Sequence, residues 1–208
     1  MRRTGVGVFA LLAVAIYAPS VAAQVCAGFP TVDRQFSFGG SLGFPDGGNQ
    51  YGAEVSYNVQ GPFAVFGGVD IFSPDGEGDS TDVFYAGGSY NLLSLSVGEG
   101  ANPVQVCPTA RVDYSSGDGY SVLQVPVGVG LGTSLSLTPA AQLMPYVIPQ
   151  LVVSRVSVDG FDSETETSLG VRGGALIGVG MFFIGAELEH LFEDNFDTAY
   201  GIRAGIRL

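Results

Sequence analysis

Charged side chains recur at alternate positions of short stretches whose other face is apolar. In the last stretch, 200–208, Arg203 and Arg207 fall on one face of a strand with glycines, and the apolar residues fall on the other face. The stretch before it places Glu187 and Glu189 on a similar polar face. Opposite charges on neighbouring strands lie close enough to pair. We therefore expect Arg203 and Arg207 to form cross-strand ion pairs with these two glutamates.

The same alternation collects charged residues from most of the predicted strands onto one shared face. The predicted ion-pair network comprises Glu54, Asp70, Arg111, Asp113, Arg172, Glu187, Glu189, Arg203 and Arg207, with Asp33 at the start of the first strand. If this face encloses a narrow interior, the charges must pair or stay hydrated. A structural network of ion pairs is the favoured interpretation, and a constricted pore lined by charge is the alternative.

Turn chemistry divides the chain into about ten strands. Their predicted bounds are Asp33–Phe44, Gln50–Gln60, Phe63–Phe72, Thr81–Leu93, Pro103–Tyr114, Tyr120–Leu131, Leu143–Val156, Ser168–Ile177, Met181–His190 and a final strand ending at Leu208. The count falls to eight if two of the short segments are not strands. Pro145 and Pro149 make the pairing of the seventh strand irregular and leave its facing open.

The acidic residues of the loops are concentrated in every second connection between the predicted strands. The connections after odd-numbered strands hold Asp46, Asp75, Glu77, Asp79, Asp118, Asp159, Asp162, Glu164, Glu166, Glu193, Asp194 and Asp197. The connections after even-numbered strands are short and nearly uncharged, apart from Glu99. In an antiparallel meander the odd connections share one end. Transmembrane barrels carry long loops at their external end and short turns at the periplasmic end, so we expect the acids outside and both termini in the periplasm.

The composition supports strands that cross lipid. The chain has 32 Gly in 208 residues, 13% charged residues and a mean hydropathy of +0.34. High hydropathy without a long apolar run beyond the first residues is what alternation over many strands produces. A soluble sandwich or lipocalin, with its apolar faces inside, is the alternative fold. The net charge of −12 disfavours nucleic acid as a partner.

The first residues have the features of a secretory signal. Arg2 and Arg3 precede an apolar run, Gly5–Ala18, and a small-residue site follows, with Val21 and Ala23 at the −3 and −1 positions. The predicted divisions are a signal peptide over 1–23, an N-terminal periplasmic segment over 24–32 and the barrel over 33–208. In an exported chain Cys26 and Cys107 can form a disulfide, and two unpaired thiols are the alternative.

These features resemble small bacterial outer-membrane β-barrel proteins of the OmpA/OmpX-like, opacity-protein kind over 33–208. The family usually ends in an aromatic residue, and Leu208 departs from that pattern. The resemblance implies an all-β, closed, antiparallel, up-and-down transmembrane barrel in the outer membrane, with a side-chain-filled lumen. It implies outer-membrane lipid and lipopolysaccharide around the barrel, and barrel-assembly machinery acting through the C-terminal strand. We expect no cofactor and no metal site: the run Asp75-Gly76-Glu77-Gly78-Asp79 has neither the spacing of an EF-hand loop nor its closing Glu. Weak divalent-cation binding by this run is the alternative, and the surface ligand stays unknown.

The single histidine is the one residue that suggests an enzyme. His190 stands next to Glu189 and near Glu193 and Asp194 at the loop end of a predicted strand. Lipid A deacylases of the outer membrane carry a His-x-Ser-Asn motif, but here Phe192 stands where the nucleophilic Ser would be. We therefore expect a non-enzymatic structural or surface-interaction protein. A narrow passive channel is the first alternative, and a lipid A-modifying enzyme or protease using His190 is the second.

Overall fold

The computed structural model describes residues 25–28, 36–59, 62–76, 78–96, 102–192 and 198–208. The predicted signal peptide and Asp33 lie outside these residues. The strands are β1 Phe36–Phe44, β2 Gly48–Asn58, β3 Phe63–Pro74, β4 Thr81–Tyr90, β5 Leu93–Leu95, β6 Val104–Gly117, β7 Tyr120–Thr133, β8 Leu135–Thr138, β9 Ala141–Val158, β10 Glu164–Val179, β11 Phe182–Leu191 and β12 Ala199–Arg207. No helix among the described residues is long and apolar enough to cross a membrane.

The strands close into a barrel with ten positions. Neighbours follow chain order, and β1 pairs with β12 from Ser37↔Arg207 to Phe44↔Tyr200, so the sheet has no free edge along this seam. Two short strands continue longer ones: β5 follows β4 along β6, and β8 follows β7 along β9. The prediction of ten strands is confirmed, and the alternative of eight is wrong.

The hydrogen-bonded pairing of β7 with β9 is interrupted at a proline. Pairing between β7 and β9 stops after Gly128↔Gln150 and resumes at Leu131↔Val147. Pro149 lies in this gap and has no N–H to donate. On its other side β9 pairs with β10 without interruption from Ala141 to Val156. The predicted irregularity of this strand is therefore present toward β7 and absent toward β10.

The barrel is apolar outside and polar inside at mid-strand. Adjacent residues have opposite exposures: Ile202 is 46% exposed and Arg203 only 7%, while Val112 is 48% exposed and Asp113 only 7%. This arrangement is the reverse of a soluble barrel and is that of a transmembrane barrel, whose outer face meets lipid. The predicted facing of these strands is confirmed.

Aromatic side chains mark both rims of the apolar band. At the end nearest the termini, Phe36 lies 4.5 Å from Tyr57 between ring centroids, and Phe63 lies 4.7 Å from Tyr90. At the other end Phe44 stands opposite Tyr200 in the register of β1 and β12. Rings at both interfaces are typical of membrane barrels, because they suit the headgroup level.

The connections after β1, β3, β6, β9 and β11 share the end opposite the termini, as predicted. Two of them are tight turns in which Gly47 and Gly119 have φ of 78° and 77°, a conformation that glycine adopts without strain. Glu164 and Glu166, which were predicted in a loop, instead lie on β10, because β9 and β10 stay paired up to Glu164↔Val156. The predicted loop acids Glu77, Glu193, Asp194 and Asp197 lie outside the described residues.

Candidate functional site

The lumen near the termini is filled by apolar side chains and a short 3-10 turn, Val25–Ala27. Met144, Ile148, Leu176 and Phe183 pack with Val25 in one buried cluster. The sequence did not predict this apolar half, because the prolines of β9 had left the facing of that strand open. The structure shows strict alternation there, so every second side chain of β9 enters the lumen.

Two devices fix the turn against the barrel wall. Cys26 and Cys107 are joined by a disulfide that ties the turn to β6. On β7, a Cβ at Gly132 would lie 2.7 Å from the backbone nitrogen of Cys26, and one at Gly130 would overlap the Cys26 carbonyl oxygen. Glycine is needed at both positions because the backbone of the turn lies directly on the strand.

The predicted periplasmic segment over 24–32 needs correction in its described part. Val25–Gly28 lie within the barrel, where Val25–Ala27 are at most 1% exposed. The disulfide and the glycine-lined wall hold this stretch inside, and its apolar side chains are removed from water there. Residue 24 and residues 29–32 lie outside the described residues.

Arg203 is the centre of a charged layer above the apolar cluster. Its guanidinium lies 3.3 Å from Glu54 Oε1 and 3.5 Å from Glu187 Oε2. It also donates a hydrogen bond to the carbonyl oxygen of Gly28, which joins the layer to the end of the N-terminal turn. Tyr146 donates to Glu187 at 2.9 Å. The predicted pairing of Arg203 with Glu187 is present, and Glu54 is a second partner.

A second ion pair extends the layer across the lumen. Arg111 and Asp113 are two residues apart on β6, face the same way and approach to 2.7 Å. The Arg111 guanidinium lies 5.8 Å from the centre of the Tyr85 ring. Tyr85 in turn donates a hydrogen bond to Glu54 at 3.5 Å. The two charged groups are therefore linked through one tyrosine.

Two predicted acids accept hydrogen bonds from neutral side chains. Gln50 donates to Asp70 Oδ2 at 2.6 Å, and Gln150 donates to Glu189 Oε1 at 2.6 Å. Arg172 stands directly opposite Glu189 in the register of β10 and β11. Within the described part of the chain, neither acid has an arginine or histidine nitrogen within 4.0 Å.

The expectation that Arg207 would pair with Glu187 or Glu189 is wrong. The antiparallel register sets Glu189 against Ala199 at one end of β12, whereas Ile206 pairs with Phe182 at the other end. Arg207 is therefore far along the barrel from both acids. It donates to the carbonyl oxygen of Gly180 at 3.0 Å, which caps a turn at the terminal end.

A cavity of about 440 Å³ lies between the charged layer and the loops. It reaches the loop end at Pro45 and Tyr120, and its lining extends down to Arg203. Apolar side chains such as Phe72 and Val152 share its wall with the charged residues. All nine residues of the predicted network lie on the inner face, and Arg207 is the one that does not line this cavity.

His190 does not meet a carboxylate in the described structure. Its Nδ1 shares a 3.1 Å hydrogen bond with the hydroxyl of Thr198, and its ring lies 5.1 Å from that of Phe192. Glu189 is next in sequence and so points to the opposite face of the strand. The neighbouring acids 193 and 194 lie outside the described residues. In the described ranges no group of three or more His, Cys, Asp and Glu could hold a metal ion.

Four neutral residues of the network were not identified from the sequence: Gln50, Tyr85, Tyr146 and Gln150. Each donates a hydrogen bond to a lumen carboxylate. The signal for Tyr85 was its position between two outward residues of β4. The alternation of β9 predicts that Tyr146 and Gln150 face the lumen, once Pro145 and Pro149 are assigned to the outer face.

The sequence matches no protein-family model and no curated protein. Two of the solved structures that match this chain are of Ail, the attachment invasion locus protein of Yersinia pestis. The first is 13% identical with a TM-score of 0.32, covering 84% of this chain and 95% of that one. The second, a complex with the heparin analogue sucrose octasulfate, is 12% identical with a TM-score of 0.29 and the same coverage. The architecture described above rests on the strand pairing of this chain itself.

Proposed function

We propose that this chain is an integral outer-membrane protein that holds acidic loops at the cell surface and neither conducts solutes nor catalyses a reaction. In this role the barrel is a rigid anchor with a closed lumen. The observation that carries the proposal is the buried turn Val25–Ala27, whose residues are at most 1% exposed inside the barrel.

Closure at two levels supports a non-conducting lumen. The turn and the apolar cluster fill the terminal end. Above them, Arg203 on β12 contacts Glu54 on β2, Glu187 on β11 and Tyr146 on β9, and it donates to the carbonyl oxygen of Gly28 at the end of the turn. A hydrated ion would have to lose water to pass the apolar layer, and that desolvation costs free energy.

Planar-bilayer conductance separates this proposal from the narrow-channel alternative. Refolded protein should give no discrete current steps at a protein-to-lipid ratio at which a large porin gives many. Reproducible steps from the purified protein, absent from a mock refolding without it, would contradict a closed lumen.

We propose no catalytic role for His190. Its bond to Thr198 and the opposite facing of Glu189 leave no acid–base pair among the described residues at this rim. Expression of the wild type and of His190→Ala should leave the lipid A composition of the host equally unchanged. A modification produced by the wild type and lost in the variant would support the enzymatic alternative.

The apolar band and its two aromatic rims support outer-membrane lipid and lipopolysaccharide as the surroundings of the barrel. We further propose that the barrel-assembly machinery receives β12 during insertion. Heat-modifiability on SDS gels tests insertion: the folded, unboiled protein should migrate apart from the boiled one, and a single unchanged band would contradict the proposal.

The loop end carries acids and no basic residue in its connections 45–47, 75–80, 118–119, 159–163 and 192–198. A sulfated polyanion of the kind bound to Ail is therefore not a ligand that we propose here, since like charges repel. We propose that the surface partner, if a macromolecule, is basic or bridged through cations. Binding of an epitope antibody to the 159–163 loop on intact cells tests whether this end is external.

A further inference from the structure

The terminal half of the lumen has two unlike walls. One wall is the apolar cluster on β9, β10 and β11. The other wall, on β4, β6 and β7 with the residue that follows β4, is small or polar, and we call it the polar strip. Its buried inner residues are Ser89, Asn91, Gln105, Thr109, Gly130 and Gly132. Because two of these residues are glycines, the strands leave space for another part of the chain on this side.

The N-terminal turn Val25–Ala27 fills the space beside the polar strip. The backbone of the turn lies against the bare inner faces of Gly130 and Gly132, and its last residue, Ala27, packs against Phe66 on β3. Phe66 also lines the cavity on the loop side. The turn therefore forms part of the floor that separates this cavity from the terminal end, and a barrel without the turn in place would be open along the strip.

The polar strip has the character of a surface that meets water. Asn91 is 4% exposed, and its side-chain oxygen Oδ1 has no hydrogen-bond partner among the described residues. Leaving a buried polar group unpaired costs free energy, so most such groups are hydrogen-bonded. Gln105 and Thr109 flank Cys107 on the same inner face of β6. A state in which water reaches the strip would give these groups partners, whereas an apolar wall would lose by the same exposure.

A covalent bond holds the turn in this position. Cys26 is bonded to Cys107 on β6, and both cysteines are 0% exposed. The further contacts of the turn are weaker: its valine and its alanine bring little apolar surface, and the carbonyl oxygen of Gly28 accepts a hydrogen bond from Arg203. Ordering the backbone of the turn costs conformational entropy. The bridge offsets that cost, because it confines the turn beside β6.

We propose that this barrel passes small hydrophilic solutes while Cys26 and Cys107 are thiols, and that formation of the bridge closes it by fixing the turn against the polar strip. The proposal rests on the closed lumen proposed above, which is that of the bridged protein. With the turn outside the lumen, both thiols can be reached by an oxidant in solution. The thiol form and the bridged form then differ in conductance but share the same barrel.

Closure is a thiol–disulfide exchange in which an external disulfide is the oxidant. The thiolate of one cysteine attacks a sulfur of that disulfide, which gives a mixed disulfide and releases one thiol of the oxidant. The thiolate of the other cysteine then attacks the cysteine sulfur of the mixed disulfide and releases the second thiol. Two electrons pass from the cysteines to the oxidant, and its two thiols take up the two protons that the cysteines lose. The completed bridge is buried, so thiols in solution do not reach it.

Planar-bilayer conductance of the refolded full-length chain tests the proposal. Three preparations are compared: wild type refolded with oxidised glutathione, wild type refolded and kept in dithiothreitol, and Cys26→Ser/Cys107→Ser. A maleimide confirms the bridge in the first, and unboiled gel mobility confirms folding in all three. The bridged protein should give no current steps, and the other two should give discrete steps of equal size. Silence of all three folded preparations would overturn the proposal and leave the closed lumen intact. Steps from the bridged protein would contradict the closed lumen and the proposal with it.

Single cysteines in the bridge-free protein locate the path. Thr109→Cys and Val127→Cys are each added to Cys26→Ser/Cys107→Ser; position 109 lies on the polar strip, and position 127 lies on the outer face, where Val127 is 49% exposed. A methanethiosulfonate reagent with a sulfonate group should lower the current step of Thr109→Cys, because it attaches a bulky charged group in the path. The step of Val127→Cys should not change. An unchanged step for Thr109→Cys, or an equal change in both, would overturn the polar strip as the path. Gel mobility reports folding, and if Thr109→Cys does not fold, the three preparations decide.

Discussion

Replacing Arg203 with Leu removes a cation that contacts Glu54, Glu187 and the carbonyl oxygen of Gly28. The arginine side chain is 9% exposed, and its partner Glu54 is 7% exposed. The variant places an apolar side chain at position 203 and leaves the carboxylate of Glu54 buried without its ion pair. The carbonyl oxygen of Gly28 loses its donor as well.

The magnitude follows from the burial of the partners. Removing one member of a buried pair costs about 3–5 kcal/mol, because the remaining charge is left in a poorly solvated site. The lost contact with Glu187 adds little to this destabilisation, since Glu187 is 26% exposed and keeps its hydrogen bond from Tyr146. We expect Arg203→Leu to lower the free energy of unfolding by about 3–5 kcal/mol.

The assay is a reversible urea titration of the barrel in lipid vesicles, with the folded fraction read from unboiled gel mobility. Arg155→Leu is the matched control: this arginine is exposed and bonds Ser163, so its loss should change stability by less than about 0.5 kcal/mol. Adding Glu54→Gln and Glu187→Gln to Arg203→Leu should recover most of the loss, because neither partner carboxylate is then left charged without its arginine. A cost for Arg203→Leu as small as that of the control, or no recovery in the triple variant, would show that Arg203 does not compensate a buried carboxylate.

Three further predictions concern the turn and the layer above it. Replacing Cys26 and Cys107 by Ser should cost about 4 kcal/mol in the same titration, since the bridge spans a sequence separation of 81; an unchanged midpoint would contradict this. Gly130→Val should displace the turn and keep Cys26 from reaching Cys107, so the refolded variant should retain free thiols that react with a maleimide, whereas the bridged wild type does not. A variant as unreactive as the wild type would show that the turn does not lie on this glycine. Tyr146→Phe should lower the free energy of unfolding by about 1 kcal/mol, because the hydrogen bond to Glu187 is lost. No measurable change would show that this hydrogen bond does not stabilise the barrel.

The alternation of single strands was enough to predict the barrel. The apolar face of a strand can be read from pairs such as Val112 beside Asp113 and Ile202 beside Arg203. Ten such stretches separated by turns predict ten strands. The sorting of loop acids then sets the two ends, because antiparallel connections alternate between them. These features are local, and each can be read within about a dozen residues.

Features that depend on distant parts of the chain could not be predicted in this way. The burial of Val25–Ala27 depends on space left by glycines of β7, more than 100 residues away. The predicted pairing of Arg207 with Glu187 or Glu189 used only the fact that the two strands are neighbours. Their register pairs Glu189 with Ala199, which is 8 residues from Arg207 along β12. The amide donors of Asp70 and Glu189, which are Gln50 and Gln150, could be identified only once the strands were placed around the barrel.

The apolar face of each strand meets lipid, and the charged face meets the lumen. The chain contains no tryptophan, so single-tryptophan variants give an unmixed signal. Val127→Trp and Ile202→Trp lie on outer positions that are 49% and 46% exposed, and Ser115→Trp lies on the cavity wall. In vesicles of bromine-labelled phosphatidylcholine, the first two should be strongly quenched and the third should not. Strong quenching of Ser115→Trp, with Val127→Trp and Ile202→Trp unaffected, would show that the strands present the opposite faces to lipid.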